Sequence, residues 1–370
     1  MNGNSLKLGI VGAGAIAQTY AQASDGCENV RVVAVADIRV DAASALAEGL
    51  GCRSFESCEA MANKTKLDAV IVCTPPATHC AICLHFLERG IHVLCEKPLA
   101  LDGRSALRML EAARRAGATL TMGSKFRYVE DVIRAKSIVM SGLLGEIILF
   151  ENVFTSRVDM SSRWNADPDV SGGGVLIDNG SHSVDLVRYF LGPLADVQVV
   201  EGKRVQGLPV EDTVRIFVRS VSGVMGSIDL SWSIHKEQES YISIYGSHGT
   251  VFVGWKESKY RPSSSRDWIV FGKGYDKVQA FRSQVRNFAR SLLGYETLVI
   301  NAEDALASVE AIEAAYVALR QNHWTNVKPS WNRIHHLKGN GHGKGNGYGK
   351  GNGYGKGNGQ RRTLAAGAAR

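Results

Sequence analysis

The segment Leu8-Gly9-Ile10-Val11-Gly12-Ala13-Gly14-Ala15-Ile16-Ala17 sets the spacing Gly-x-Gly-x-x-Ala between an apolar run and a helix-forming one. Glycines at 12 and 14 permit a tight turn and let backbone approach a pyrophosphate, which free N–H groups at the helix start would hold. Ala15 and Ile16 open that helix, and Ala17 is small enough for it to pack closely on the strand. Asp37, followed by Ile38 and Arg39, closes the second apolar run about 20 residues further on. A carboxylate there accepts hydrogen bonds from both adenosine ribose hydroxyls and repels a 2′-phosphate, which favours NAD over NADP. Arg39 softens that repulsion, so NADP stays open. The spacing also fits a glycine turn in an α/β protein that binds no nucleotide.

A second set of residues can stabilise charge and move protons. Lys97, in Glu96-Lys97-Pro98, follows the apolar run His92-Val93-Leu94-Cys95. Ligands of open parallel sheets bind beyond the carboxyl ends of strands, so Lys97 is expected to face the same crevice. An ammonium there stabilises the oxyanion that grows as a hydroxyl loses its proton; the competing reading is a surface lysine paired with Glu96. Asp178 and His182, in the segment that opens Gly172-Gly173-Gly174, are four apart and share one face of a helical turn. A carboxylate beside an imidazole would set its orientation and pKa, making His182 a proton acceptor near neutral pH. A capping aspartate with a buried structural histidine fits the same spacing. Arg127, Arg157 and Arg163 could meet a carboxylate or pyrophosphate, or lie on the surface or against a cofactor.

Positioning these groups requires two kinds of architecture. Strands at Lys7–Val11, Arg31–Ala36, Ala69–Cys73, His92–Cys95 and Thr119–Met122 alternate with helices at Ala15–Ala23, Val40–Glu48, Thr78–Arg89 and Ser105–Ala116. That rhythm predicts a parallel sheet covered by helices. After Gly123 the pattern changes. A helix at Asp131–Met140 precedes alternating segments at Ile147–Phe154, Val214–Arg219, Val224–Trp232, Tyr241–Tyr245 and Thr250–Val253, with helices at His182–Leu191 and Ala302–Arg320. A mostly antiparallel sheet with helices on one face follows.

Composition narrows the class. With 45% hydrophobic and 21% charged residues, the 370-residue chain is too apolar to be disordered and long enough for two domains. No apolar run approaches the ~20 residues that span a bilayer, and the first residues do not form a signal peptide. The seven basic residues from Lys338 to Arg370 equal the whole net charge of +7, so residues 1–337 are formally neutral and offer no basic stripe for nucleic acid. That tail repeats Gly-Lys-Gly-Asn-Gly-Tyr with a period of six and is expected to be disordered. Seven cysteines, all within the first 95 residues, read as reduced cytosolic thiols, and Cys80-Ala-Ile-Cys83 beside His79 reads as helix packing, with no metal.

Together these pieces resemble the glucose-fructose oxidoreductase, inositol dehydrogenase and MocA-like (Gfo/Idh/MocA) family of two-domain NAD(P)-dependent oxidoreductases, over about residues 5–330. The resemblance rests on Gly12–Ala17, Thr74-Pro75-Pro76-Ala77-Thr78-His79, Glu96-Lys97-Pro98, Gly172-Gly173-Gly174 leading to Asp178 and His182, Val210-Glu211-Asp212-Thr213, and Gly246-Ser247-His248-Gly249. It implies an α/β chain with a Rossmann domain and an α+β domain whose sheet is open and mostly antiparallel; the change of pattern after Gly123 and the repeat put these at 1–124 and 125–337, and the tail at 338–370 has no counterpart in the family. It implies Lys97, Asp178 and His182 as the catalytic trio, with His182 the general acid/base. Thr74, Pro75 and His79 would line the cofactor crevice, with Cys73 and Glu96 expected beside them; Arg163-Trp164 would reach over the nicotinamide and Arg127 would touch substrate, where Arg157 is expected for its charge alone. The implied reaction is hydride transfer between nicotinamide and a ring hydroxyl or ketone of a sugar, cyclitol or nucleotide sugar. A dehydrogenase of a non-sugar substrate such as a dihydrodiol, or an NAD(P)-binding regulator without turnover, is the alternative. A cytoplasmic homodimer or homotetramer completes the expectation.

Overall fold

The structure, a computed structural model, describes residues 5–236 and 238–328. The expectation for 338–370 lies outside the described residues.

The first half runs β1 (Leu6–Val11), α1 (Ala15–Ser24), β2 (Val30–Ala36), α2 (Val40–Leu50), β3 (Arg53–Phe55), α3 (Cys58–Lys64), β4 (Ala69–Val72), α4 (Pro76–Leu87), β5 (His92–Glu96), α5 (Gly103–Ala116) and β6 (Leu120–Gly123). The strands pair in parallel in the order β3-β2-β1-β4-β5-β6. All four residues of β4 are buried, as a strand covered on both faces requires. Chain order reverses between β1 and β4, and such a switch point opens a crevice at the carboxyl ends of the strands. This is the doubly wound fold expected. The short β3 and α3 are additions to it.

The second half continues with α6 (Glu130–Met140), β7 (Ile147–Thr155), α7 (Pro168–Ser171), α8 (Val175–Leu191), β8 (Leu194–Glu201), β9 (Thr213–Ser220), β10 (Met225–Ser231), β11 (Ser240–Gly246), β12 (Gly249–Gly254), β13 (Ser258–Pro262), β14 (Ile269–Gly272), α9 (Lys277–Leu292), α10 (Ala302–Gln321) and β15 (Thr325–Asn326). Nine strands form one open sheet in the order β14-β13-β12-β11-β7-β10-β9-β8-β15, antiparallel except for the pair β7–β10. In β9 the side chains of Val214, Ile216 and Val218 are buried, while Arg215, Phe217 and Arg219 point outward. Period-two alternation of this kind leaves one face for helices and one for solvent.

Chain order and packing part company at α9 and α10. Phe281, Val285 and Phe288 of α9 join the core of Leu8, Ile10 and Tyr20, while Ile300 and, in α10, Ala305, Leu306 and Val309 join that of Val93, Leu110 and Leu120. Each such large side chain contributes about 1.5–3 kcal/mol when buried. The core of the first domain is therefore completed by residues some 150 positions beyond its last strand. Among the described residues no helix is long and apolar enough to cross a membrane.

Candidate active site

The glycine turn is built as its spacing requires. Gly12 has φ +94°, and a Cβ there would lie 2.8 Å from the Cys73 carbonyl oxygen, so only glycine fits between β1 and β4. Gly14 is the N-cap of α1; no side chain caps that helix, and a Cβ at Gly14 would meet nothing within 4 Å. An uncapped helix N-terminus beside open space is a cradle for an anion. Ala17 is fully buried beneath the turn. Asp37 accepts the Ala13 N–H (2.6 Å) on one carboxylate oxygen and the Arg39 N–H (2.8 Å) on the other. Each oxygen keeps a lone pair for a ribose hydroxyl. Ile38 is 90% exposed beside it, an open apolar surface at the same rim. These residues fit the adenosine and pyrophosphate of a dinucleotide.

Beyond β4 and β5 a cleft of about 550 Å³ opens, its wall including Ile16, Cys73, Thr74, Glu96, Lys97, Trp164, Asp178 and His182. Lys97 follows β5; its ammonium forms an ion pair with the Asp178 carboxylate and donates to the Asp178 backbone carbonyl (3.1 Å). This contact joins the end of the parallel sheet to α8. The surface pairing with Glu96 is not what the side chain makes. Glu96 is buried instead, accepting from the Tyr20 hydroxyl (2.7 Å) and the Lys97 N–H (3.2 Å), and burial raises its pKa. Gln284 of α9 in turn donates to the Tyr20 hydroxyl (2.6 Å).

Helix α8 begins seven residues before the stretch expected to be helical, so Asp178 and His182 stand on successive turns of one helix. Its N-terminus is satisfied by Glu211, whose carboxylate accepts from the N–H groups of Gly174 (2.9 Å) and Leu176 (3.2 Å) and from the Tyr316 hydroxyl (2.8 Å). A Cβ at Gly174 would lie 2.0 Å from the Glu211 carbonyl oxygen, which accounts for the last glycine of the run. Val210-Glu211-Asp212-Thr213 is thus the structural support of α8.

His182 is 8% exposed and lines the cleft, edge-on to Phe126 with centroids 5.1 Å apart. Burial, and then the charges of Lys97 and Lys125, hold its pKa well below the ordinary imidazole value. The ring is therefore neutral at pH 7, and its buried Nδ1 has no hydrogen-bond partner among the described residues. The expectation that Asp178 orients His182 is corrected: the carboxylate turns to Lys97, because an ammonium offers a full charge where a desolvated neutral ring offers a dipole.

Several other expected site residues do other work. Arg127 is 4% exposed and outside the cleft wall, bound to Asp185 through Nε (2.9 Å) and Nη2 (2.7 Å) and to Asp304 through Nη1 (2.6 Å). Its guanidinium is held by two carboxylates and buried away from the cleft wall, so it acts as a core ion pair. His79 is fully buried, with Nδ1 2.8 Å from the Pro98 carbonyl oxygen and Nε2 2.8 Å from that of Thr74. Both ring nitrogens being engaged, it ties two crevice loops together. Pro75 is the N-cap of α4, with Pro76 taking the place on the cleft wall. Arg157 is exposed and donates to the Ser233 carbonyl (3.2 Å), and exposed Arg163 precedes Trp164 without lining the cleft. Cys80 donates weakly to the Ser105 carbonyl (3.8 Å), and among the described residues no three His, Cys, Asp or Glu side chains are grouped to hold a metal ion.

Lys125, Phe126, Phe154, Asn179, Trp255 and Phe281 also line the wall, and no sequence motif assigns them a role in the site. They come from elements spread over some 150 residues. Phe126 and Asn179 do sit beside Arg127 and Asp178, and adjacency was the one available clue.

A doubly wound sheet with an uncapped helix at its glycine turn, facing a cleft that holds a paired lysine and a neutral histidine, defines a two-domain dinucleotide-dependent oxidoreductase. Residues 6–124 match the oxidoreductase family with an NAD-binding Rossmann fold, and residues 132–252 match the Gfo/Idh/MocA C-terminal domain. The chain belongs to the Gfo/Idh/MocA family. It is 27% identical to inositol 2-dehydrogenase of Rhizobium meliloti (strain 1021), over 84% of this chain and 96% of that protein. To D-glucoside 3-dehydrogenase of Escherichia coli (strain K12) it is 36% identical, over 52% of this chain and 56% of that protein. Levoglucosan dehydrogenase, solved in complex with NADH and levoglucosan, superposes with a TM-score of 0.81 at 18% identity, over 88% of this chain and all of that one. At that identity the superposition speaks for the fold.

Proposed function

We propose that this protein is an NAD-dependent dehydrogenase that converts a ring hydroxyl of a sugar, cyclitol or nucleotide sugar to the ketone, or runs the reverse reaction. The observation that carries the reading is the Lys97–Asp178 ion pair between the two halves of the chain, in one cleft with the uncharged imidazole of His182. Names of the relatives, acting on inositol and glucosides, support the substrate class.

The residues divide the work by charge. A bound nicotinamide supplies the two-electron acceptor or donor. His182, already neutral, takes the proton of the substrate hydroxyl without first having to lose one. The Lys97 ammonium stabilises the alkoxide that forms as that proton leaves. Asp178 holds the ammonium in place, making it a positioning residue for Lys97. Trp164, Phe126, Phe154 and Trp255 line the remaining wall and exclude water, which strengthens both interactions. Asp37 and the turn at Gly12 and Gly14 would hold the adenosine end, with Asp37 favouring NAD.

The open outer face of the nine-stranded sheet, where Phe217 and Met225 are exposed, supports a homodimer or homotetramer, and the seven unpaired cysteines support a reducing, cytoplasmic setting. The test is NAD reduction followed by absorbance over a panel of sugars, cyclitols and nucleotide sugars. Turnover of at least one of them is expected, and silence across the panel sinks the reading.

A further inference from the structure

Lys125 stands between β6 and α6, and its side chain reaches the cleft wall beside Glu96, Lys97 and His182. Its ammonium lies over the rings of Phe126, Tyr275 and Phe281, at 5.3, 5.9 and 5.6 Å from their centroids. Ring faces attract a cation but offer no lone pair to its N–H groups. Among the described residues, Lys125 makes no ion pair or hydrogen bond. The carboxylates closest in charge to it are engaged elsewhere: Asp178 binds Lys97, and Glu96 accepts from Tyr20 and the Lys97 N–H. Burial, with Lys97 and Lys277 adding to it against Glu96 and Asp178, pushes its pKa down to about 8.

An ammonium so placed is costly unless something in the cleft accepts from it. The charge balance says what kind of group that is. Lys97 and Lys125 are matched on the wall by Glu96 and Asp178. An oxidised nicotinamide would add one positive charge, which a carboxylate on the substrate would cancel and a phosphate would more than cancel. A neutral polyol leaves the excess in a low-dielectric cleft.

We propose that Lys125 is a specificity residue that receives an anionic oxygen group, a carboxylate or a phosphate, borne by the sugar or cyclitol ring. This deepens the dehydrogenase reading and rests on it. The preferred substrate is then an acidic or phosphorylated polyol, with the charged group on the Lys125 side and the reacting hydroxyl on the Lys97 and His182 side.

Binding separates this proposal from the question of turnover. Affinities of the full-length chain with NAD are measured by calorimetry for glucose, glucuronate and glucose 6-phosphate, and for inositol and an inositol phosphate. At least one anionic member binds about tenfold or more tightly than its neutral counterpart, as one charge-assisted contact warrants. Lys125→Met abolishes that margin, and Lys125→Arg, which keeps the charge, retains it. The carboxylate and phosphate arms tell the two groups apart. The proposal is overturned when the wild-type chain shows no anionic preference, or when Lys125→Met keeps it. Failure of NAD reduction across the neutral and charged panel sinks the dehydrogenase reading instead.

Discussion

Replacing Arg127 by methionine separates a structural from a substrate-binding role. Three charge-assisted hydrogen bonds disappear, two to Asp185 and one to Asp304. Asp304 keeps Arg188, through Nη2 at 3.2 Å, and is 30% exposed, so its share of the loss is small. Asp185 is wholly buried and, among the described residues, keeps only the side-chain hydroxyls of Ser124 (2.6 Å) and Ser308 (3.3 Å), which cannot replace a guanidinium. Leaving a buried carboxylate without its cation costs about 3–5 kcal/mol. Against a total stability of about 5–15 kcal/mol, that is a large fraction. Urea unfolding with unchanged m-value reads the loss directly. Adding Asp185→Leu removes the stranded charge and recovers part of it. Kinetics at a temperature where the variant stays folded should show little change in the KM for the polyol substrate. A variant as stable as wild type, with that KM raised about tenfold, would refute the assignment of Arg127 to the core.

Other consequences follow from single groups. Asp37→Ala removes the ribose acceptor and should shift the NAD-to-NADP ratio of kcat/KM by about tenfold toward NADP; an unchanged ratio argues against the contact. Glu211→Ala strips three donors of their acceptor at the start of α8 and should cost about 2–4 kcal/mol in urea unfolding, with kcat/KM falling because that helix carries Asp178 and His182. Lys125 gives a pH signature in the cofactor-free chain. Its folded pKa of about 8 lies below the unfolded value near 10.4, so between those values the unfolded chain holds more protons and stability rises with pH. From pH 8 to 10 the gain is at most about 3 kcal/mol and vanishes in Lys125→Met; parallel stability curves for the two chains would contradict it.

Local signals in the sequence suffice for the geometry of the glycine turn and Asp37, where the cofactor is proposed to bind. The turn at Gly12 and Gly14, the carboxylate at Asp37 and the helix behind them lie within one βαβ unit, so spacing alone specifies their geometry. The parallel sheet was legible for the same reason, through buried strands such as Ala69–Val72. The short β3 and α3 were not, since three and seven residues hold too little periodicity. Helix α9 carried its pattern openly in Phe281, Val285 and Phe288, yet its packing on α1 cannot be inferred from a helix that follows a β-rich stretch. Arginines were the least legible residues. Arg127 is defined by Asp185 and Asp304, 58 and 177 positions away, and no local motif distinguishes a buried ion pair from a substrate clamp. Lys125 is no more legible, because only the folded chain brings Phe281 over its ammonium.

The central claim is that the ammonium at 97 and the imidazole at 182 act on the same hydroxyl. A double-mutant cycle in kcat/KM with Lys97→Met, His182→Ala and the pair measures it. Each single change should lose about 10²–10⁴-fold, and the double variant should lose far less than their product, as groups serving one transition state do. Losses that multiply, or a single variant near wild-type activity, would contradict it.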